Sequence, residues 1–108
     1  MMEAIQYSIV LTGKDLSSET DTTGSVQCIV ISPAEMNRSL RTVIVAPLGP
    51  DTGDYPTRVR IKSGNRMLRA ALDQITTIES KRILRSTREA SPSEIKKIKS
   101  ILKEILVD

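Results

Sequence analysis

Residues 26–48, VQCIVISPAEMNRSLRTVIVAPL, decide the fold of this chain. Residues 26–32 and 42–48 are runs of mostly aliphatic and β-branched side chains, which are typical of buried strands. Between them, Ser32-Pro33-Ala34-Glu35 has the pattern of a capping box, in which the serine and glutamate side chains satisfy backbone N–H groups at a helix start. The stretch therefore predicts two buried strands joined by a short helical turn that ends near Asn37.

Polar and glycine-containing segments divide the neighbouring regions into further elements. Residues 5–12 alternate apolar with shorter or polar side chains, which predicts a strand, and residues 13–24 are a long polar loop. Residues 49–56 form a connection rich in Pro, Gly and Asp. Residues 57–62 alternate between apolar and basic side chains, so that we expect a strand with one buried face, followed by a turn at 63–65.

The segment 66–78 fits two different periodicities. Met67, Leu68, Ala71, Leu72 and Ile75 lie at helical spacing, yet residues 74–78 contain β-branched side chains that favour a strand. Periodicity alone does not decide between them. We interpret residues 67–72 and 75–78 as strands, mainly because of the family resemblance described below.

The C-terminal segment predicts an amphipathic helix. Ser91-Pro92-Ser93-Glu94 is a second capping box, and apolar residues then recur at helical spacing at Ile95, Ile98, Leu102 and Ile105. Ile101 and Leu106 widen this apolar stripe beyond what one narrow packing seam requires, so part of it is expected to face a partner subunit. The predicted class is mainly β with a C-terminal helix (α+β), in a single domain over residues 1–108.

The composition excludes several kinds of chemistry. The chain has no histidine and one cysteine, Cys28, so histidine acid–base catalysis and an internal disulfide are excluded and a zinc site is not expected. We expect no metal and no cofactor. Cys28 lies in an apolar run and is interpreted as a small buried residue. The chain shows no leader pattern and no apolar run long enough to cross a bilayer, so we expect a cytoplasmic protein.

The distribution of charge says more than the formal net charge of +3. Five basic residues and no acidic residue fall between positions 58 and 69, namely Arg58, Arg60, Lys62, Arg66 and Arg69. A basic stripe of this kind suits a polyanion or an acidic protein segment. It is equally typical of a solvated strand face, and the composition leaves both interpretations open.

Three stretches, in order, resemble a known family. They are residues 31–48, which begin Ile31-Ser32-Pro33-Ala34-Glu35-Met36-Asn37-Arg38; then Tyr55-Pro56-Thr57-Arg58-Val59; and finally Leu72-Asp73-Gln74-Ile75, followed by Thr77-Ile78 and Lys81-Arg82. Together with the capped terminal helix, they resemble the MazF/PemK toxin family from about Ile9 to Leu106. The resemblance implies a small SH3-like barrel of the MazF/PemK/CcdB type that forms a homodimer. It also implies a toxin of a toxin–antitoxin pair that cuts single-stranded RNA without a metal, leaving a 2′,3′-cyclic phosphate.

The sequence departs from this family at three positions that matter for catalysis. The family arginine at the start of the second strand is Gln27 here. The family Thr or Ser after the central strand falls at Gly49 or Pro50, which carry no hydroxyl, and Thr76 stands where the family has another arginine. The expected ribonuclease activity is therefore weakened.

The resemblance, read together with the basic stripe, assigns candidate roles to individual residues. The candidate catalytic residues are Glu19, Gln27 and Thr52. The candidate RNA-binding residues are Arg58, Arg60, Lys62, Asp73 and Gln74. The candidate dimer-interface residues are Asn37, Arg38 and Ile101.

Three functional hypotheses follow. The first is a toxin-type endoribonuclease whose partner is a cognate antitoxin with an acidic disordered segment. The second is a barrel of the same fold that binds RNA or an antitoxin without cutting. The third is a gyrase inhibitor of the CcdB type, which we rank last because that branch uses an aromatic-containing C-terminus and this chain ends Ile105-Leu106-Val107-Asp108.

Overall fold

Strands dominate the part of the chain that the computed structural model describes, residues 4–13, 26–50 and 57–107. The strands are β1 (Ser8–Thr12), β2 (Val26–Val30), β3 (Thr42–Pro50), β4 (Arg58–Ser63), β5 (Arg66–Ala71), β6 (Thr76–Glu79) and β7 (Ile83–Glu89). The helices are α1 (Ala34–Leu40) and α2 (Pro92–Leu102), and short 3-10 turns occupy Leu72–Gln74 and Ser80–Arg82. Of the sequence-based assignments, the greater part of the loop at 13–24 and most of the connection at 49–56 lie outside these described residues.

The seven strands form one curled sheet, in which six follow the order β4-β5-β3-β2-β1-β7 and the seventh, β6, pairs with β3 beside this path. The long strand β3 joins the parts of the sheet, because it pairs with β6 at its start, β2 at its middle and β5 at its end. This mostly β, half-barrel sheet with a C-terminal helix confirms the predicted fold class. The curl brings the two outer strands, β4 and β7, close enough for a side chain to bridge them, and the backbone carbonyl of Lys62 accepts a hydrogen bond from Arg88 at 2.8 Å.

Alternation along β3 divides the aliphatic core between the two faces of the sheet. Val43 and Val45 belong to one cluster with Cys28, whereas Ala46 and Leu48 belong to the other. The second cluster contains the apolar face of β4 and the buried Ile98 of α2. Side chains of opposite parity on a strand point to opposite faces, so both sides of the sheet are covered by apolar groups.

The strand assignments for residues 57–78 are confirmed. Val59 and Ile61 are buried at 3% and 0% exposure, while Arg60 and Lys62 are exposed. The turn after β4 uses Gly64 with φ of +62°, a conformation that glycine adopts without steric cost. Residues 66–78 form β5, a 3-10 turn and β6, because cross-strand pairing with β4 and β3 overrides the local helical spacing.

The capping box predicted at the start of α1 is wrong. No side chain caps this helix, and its N-cap residue is Pro33. The Ser32 hydroxyl is used elsewhere, since it donates to the side-chain oxygen of Asn37 and accepts from the Ile44 N–H at 2.9 Å. The helix also continues to Leu40 rather than ending near Asn37.

Asn37 acts inside the subunit and not at its surface. Its side chain is 4% exposed and its amide donates to the carbonyls of Ala4 at 2.9 Å and Ser32 at 3.1 Å. The buried amide is satisfied by these partners, so it links the helix to the chain before β1 and to the end of β2. We therefore remove the Asn37 side chain from the candidate dimer interface.

The second capping box is present as predicted. The Ser91 hydroxyl accepts from the Glu94 N–H at 3.2 Å, and the Glu94 carboxylate accepts from the Ser91 N–H at 2.8 Å. The helix buries Ile98 completely and continues into a π-type turn at Lys103–Val107, where Leu106 is 63% exposed. Within the described ranges, no helix combines the length and the apolar character needed to cross a membrane.

Candidate functional site

An open groove of about 580 Å³ lies between α2 and the hairpin of β4 and β5. It is lined by Arg58, Val59, Arg60, Arg69, Lys97, Ser100 and Ile101. Four of these side chains are basic, and none of the lining residues that the structure describes is acidic, so this part of the groove has a charge that suits an anion.

The hairpin places two arginines side by side in this groove. Arg60 on β4 is the direct cross-strand partner of Arg69 on β5. Directly opposed residues of an antiparallel pair have Cβ atoms about 4.5–5.5 Å apart, so the two side chains leave the hairpin from neighbouring points on the same face. Arg69 is only 8% exposed, and this burial restricts the positions that its side chain can take.

Arg58 is oriented by a carboxylate at the start of the same strand. Its Nε donates to the Asp73 carboxylate at 3.1 Å, and the Thr57 hydroxyl donates to the same oxygen at 3.0 Å. Slight desolvation alone would raise the pKa of Asp73, but the hydrogen bonds from Arg58 and Thr57 outweigh it and hold that pKa below its usual range. Asp73 therefore positions Arg58.

The helix α2 forms the other wall of the groove because it is attached to β4. The Lys62 N–H donates to the Glu94 carboxylate at 3.2 Å, which places the first turn of α2 at the end of β4. The helix then runs back along the strand, so that Lys97, Ser100 and Ile101 line the groove with Arg58 and Arg60. These three helical residues share one face because they are spaced at i, i+3 and i+4.

The far end of β4 is held by a separate group of residues, which we call the closing cluster: Lys62, Arg88, Ser91 and Glu94. The Arg88 guanidinium donates to the Lys62 carbonyl and, with both terminal nitrogens, to the Glu94 carboxylate at 3.1 Å. Partial burial would raise the pKa of Glu94, but its hydrogen bonds from Arg88, Ser91 and Lys62 keep that pKa below the usual range. The closing cluster joins β4, β7 and α2 and lines a second cavity of about 500 Å³.

Gln27 also lies at this far end. It is half-buried on β2, and its side-chain oxygen accepts a hydrogen bond from the Ser63 hydroxyl. Ser63 follows Arg58 by five residues on the same strand, a distance of about 17 Å at 3.3 Å per residue. The structure therefore separates Gln27 from Arg58.

Gly49, the other position of departure, is the cross-strand partner of Arg69. A Cβ atom added at Gly49 would meet no atom within 4 Å among the described residues. The alternation of β3 puts Gly49 on the opposite parity from the core residue Leu48.

The predicted RNA-binding residues are thus only partly brought together. Arg58 and Arg60 line the groove, Asp73 contacts Arg58, and Gln74 is exposed on the adjoining 3-10 turn. Lys62 lines the second cavity instead, because the curl of the sheet carries the end of β4 towards β7. Arg58, Arg60 and Lys62 alternate along β4 as predicted, but only Arg58 and Arg60 line the groove. The predicted catalytic residues Glu19 and Thr52 lie outside the described residues.

Two groove residues were missed in the sequence. Arg69 was counted in the basic stripe but not assigned to the site, although its pairing with Arg60 follows once a hairpin turn at 63–65 is accepted. Lys97 carried no local signal, because helical spacing shows which residues share its face but not which strand that face meets. Of the candidate interface residues, Arg38 is exposed on α1, and Ile101 is half-buried in the groove itself.

Cys28 is buried at 6% exposure, as expected for a small core residue. Burial raises the pKa of its thiol, an effect only partly opposed by a hydrogen bond with Thr12 and by the charge of Arg82. A buried thiol of raised pKa is a poor nucleophile, so Cys28 serves packing.

Comparison with known proteins agrees with this architecture. A search of curated proteins gives no match to the sequence. The structure resembles MazE-MazF (Form-II) from Deinococcus radiodurans with a TM-score of 0.80 and 18% identity, over 99% of this chain and 98% of that one. It also resembles an endoribonuclease in complex with its cognate antitoxin from a mycobacterial species, with a TM-score of 0.77 and 19% identity over 94% and 93% of the two chains. The Mycobacterium tuberculosis toxin MazF-mt6 gives a TM-score of 0.73 at 14% identity, over 90% and 93% of the chains.

These structural likenesses show a shared fold, and the family follows from the sequence itself. The family model for the PemK-like, MazF-like toxin of type II toxin-antitoxin systems matches residues 6–106, nearly the whole chain. This chain belongs to the PemK-like, MazF-like toxin family of type II toxin–antitoxin systems.

Proposed function

We propose that the chain is a single toxin domain over residues 1–108 that cleaves single-stranded RNA without a metal. The observation that carries this proposal is the basic groove, where Arg58, Arg60, Arg69 and Lys97 meet in a member of a toxin family. A strip of cations in an open groove suits the phosphate backbone of an extended strand.

The chemistry requires no histidine. In the proposed reaction the 2′-hydroxyl of the RNA attacks the adjacent phosphate, so the protein must orient the strand, move a proton and stabilise the charge of the phosphorane. The planar fork of arginine meets phosphate oxygens two at a time, which suits Arg60 and Arg69 to the charged oxygens. Arg58, oriented by Asp73, would hold a neighbouring phosphate. We propose Glu19 as the carboxylate that moves the proton and Thr52 as the residue that supplies a hydroxyl group to the site.

The test is incubation of the purified protein with a long single-stranded RNA in EDTA, followed by mapping of the ends. We expect cuts at one short recurring sequence, each leaving a 2′,3′-cyclic phosphate. A DNA strand of the same sequence is the matched control, because it lacks the attacking 2′-hydroxyl and should stay intact. RNA that remains intact over long incubation would rule out the nuclease proposal.

Gln27 favours a second candidate, a barrel that binds RNA or an antitoxin without cutting. Its amide is neutral and its oxygen is occupied by the Ser63 hydroxyl, so it supplies no charge to a phosphorane. The same assay separates the candidates, since this one predicts intact RNA together with salt-sensitive binding.

The proposed partners are a cognate antitoxin with an acidic disordered segment and a second copy of this chain. The family is defined by toxin–antitoxin pairs, and the basic groove offers a surface of suitable charge. Dimer formation is supported by large apolar side chains left exposed, Leu40 at 58% and Leu106 at 63%, and Arg38 and Ile101 remain candidate contacts. Light scattering at micromolar concentration should give twice the mass of the chain, and a monomer throughout would contradict the dimer.

A further inference from the structure

The C-terminal helix contributes a cation to the basic groove, and this position follows from how α2 is held. Glu94 is bonded to the Lys62 N–H and to Arg88, and Ile98 is completely buried in the core. These contacts, one turn before and one residue after Lys97, set the rotation of the helix. Lys97 therefore faces the groove as a consequence of packing.

The other lysines of α2 do not share this location. Lys96 is exposed and does not line the groove. The Lys99 ammonium lies 6.0 Å from the centre of the Tyr7 ring, on another side of the helix. Consecutive residues of a helix are rotated by about 100° around its axis, so lysines that are close in the sequence of α2 face different surroundings.

Three cations from three elements line the same groove: Arg60 on β4, Arg69 on β5 and Lys97 on α2. Arg60 and Arg69 are opposed in register, and the burial of Arg69 restricts one of them. Of the described residues that line the groove, all but Val59, Ser100 and Ile101 are basic, and none is aromatic. These described side chains offer positive charge to the backbone of a strand and no aromatic ring on which a base could stack.

We propose that Arg60, Arg69 and Lys97 form a phosphate clamp for single-stranded RNA. The helix α2 supplies one side of this clamp through Lys97. This inference rests on the proposed function for the identity of the ligand, and it adds the helix to the substrate-binding site. Contacts to phosphate position a strand without reading its sequence, so the clamp contributes the same affinity to every RNA.

The test compares Lys97→Gln with Lys96→Gln, a matched variant one position away on the same exposed helix. The probe is a short fluorescent RNA in which every 2′-hydroxyl is methylated, so that binding is measured by anisotropy without cleavage. Affinity is followed between about 50 and 200 mM KCl, where phosphate contacts are strongly salt-dependent. Circular dichroism melting of both variants checks that the helix is unchanged.

For Lys97→Gln we expect about twofold to fivefold weaker binding at low salt, in line with one exposed ion pair. The slope of log affinity against log salt should fall by about 0.7, the value for one phosphate contact on a single strand, and equally for probes of different sequence. Lys96→Gln should match the parent. Equal slopes for the two variants, or an effect confined to one RNA sequence, would overturn the clamp.

Two further outcomes separate this inference from the proposed function. A parent that binds the methylated RNA with the expected Lys97 dependence, yet leaves ordinary RNA intact, would support the clamp and reject the nuclease. A parent that binds a polyglutamate peptide but no RNA would overturn the clamp in favour of an acidic protein partner.

Discussion

The two ends of strand β4 use the same kinds of side chain in different ways. At the start of β4, Arg58 forms an ion pair with Asp73. The exposed fractions of the two side chains are 26% and 38%. At the far end, Arg88 contacts Glu94, whose side chain is only 15% exposed and which also bonds the Lys62 and Ser91 N–H groups. The exposed pair positions one arginine beside an open groove, whereas the more buried pair joins two sheet edges and a helix.

This difference shows why charge in the sequence does not identify a binding site by itself. Exposed ion pairs contribute little to stability, so the contact between Arg58 and Asp73 serves mainly to orient the arginine. A carboxylate with several satisfied hydrogen bonds in a partly buried site is far more costly to remove. The start of β4 is the candidate for binding, and the far end is the candidate for holding the fold closed.

The largest expected effect comes from Gln27→Arg, which tests whether the far end of β4 also takes part in chemistry. If RNA binds productively, the new guanidinium should raise the cleavage rate by about 10²–10³, the usual value of one such donor. Ser86→Arg is the control, because it adds the same charge at an exposed position on β7 that lines neither cavity. If Gln27→Arg brings no gain, alone or combined with Gly49→Thr, the far end of β4 takes no part in cleavage.

Next in size is Glu94→Ala, which breaks the closing cluster. Loss of the capping box and of the hydrogen bonds with Arg88 and Lys62 should lower the free energy of unfolding by about 2 kcal/mol. Urea denaturation measures this change. Glu104→Ala, at an exposed position beyond the same helix, should stay within about 0.5 kcal/mol of the parent, and an equal loss in both variants would contradict the role of the cluster.

A smaller effect is expected from Arg58→Ala combined with Arg60→Ala at the groove. The double variant should bind single-stranded RNA and an acidic antitoxin segment about tenfold more weakly, equivalent to ~1.4 kcal/mol, and the two ligands should compete. Arg66→Ala combined with Arg85→Ala removes the same charge from exposed sites outside the groove and serves as the control. Binding that is indifferent to salt, or equal in the two double variants, would show that the groove is only a solvated face.

The smallest effect concerns pH. The pKa of Glu94 is lowered in the folded chain, so its stabilisation is complete above the ordinary glutamate pKa of about 4.3 and is lost as pH falls through the lower folded value. Unfolding midpoints of the parent should therefore decrease below about pH 4.3 more steeply than those of Glu94→Gln. Parallel curves for the two proteins would show that Glu94 does not carry this dependence.

Elements with strong local signals were predictable, and elements set by distant contacts were less so. The alternation of β4 and the second capping box lie within a few residues of sequence, and the structure has both. The first capping box failed because Ser32 bonds Asn37 and Ile44, the latter on a strand reached only after the helix. The same serine could serve the helix or the strand, and local pattern does not reveal which.

The sequence by itself determined an aliphatic β-rich fold, a capped amphipathic terminal helix, the family, and a chemistry without histidine. Those properties depend on residue type and on spacing over one or two turns. Only the tertiary structure decided that Lys97 joins Arg60 and Arg69, and that Lys62 and Gln27 lie at the other end of the strand. The physical reason is that the curl of the sheet and the rotation of α2 arise from many long-range contacts acting together, whereas the direction of a side chain on its own strand is local.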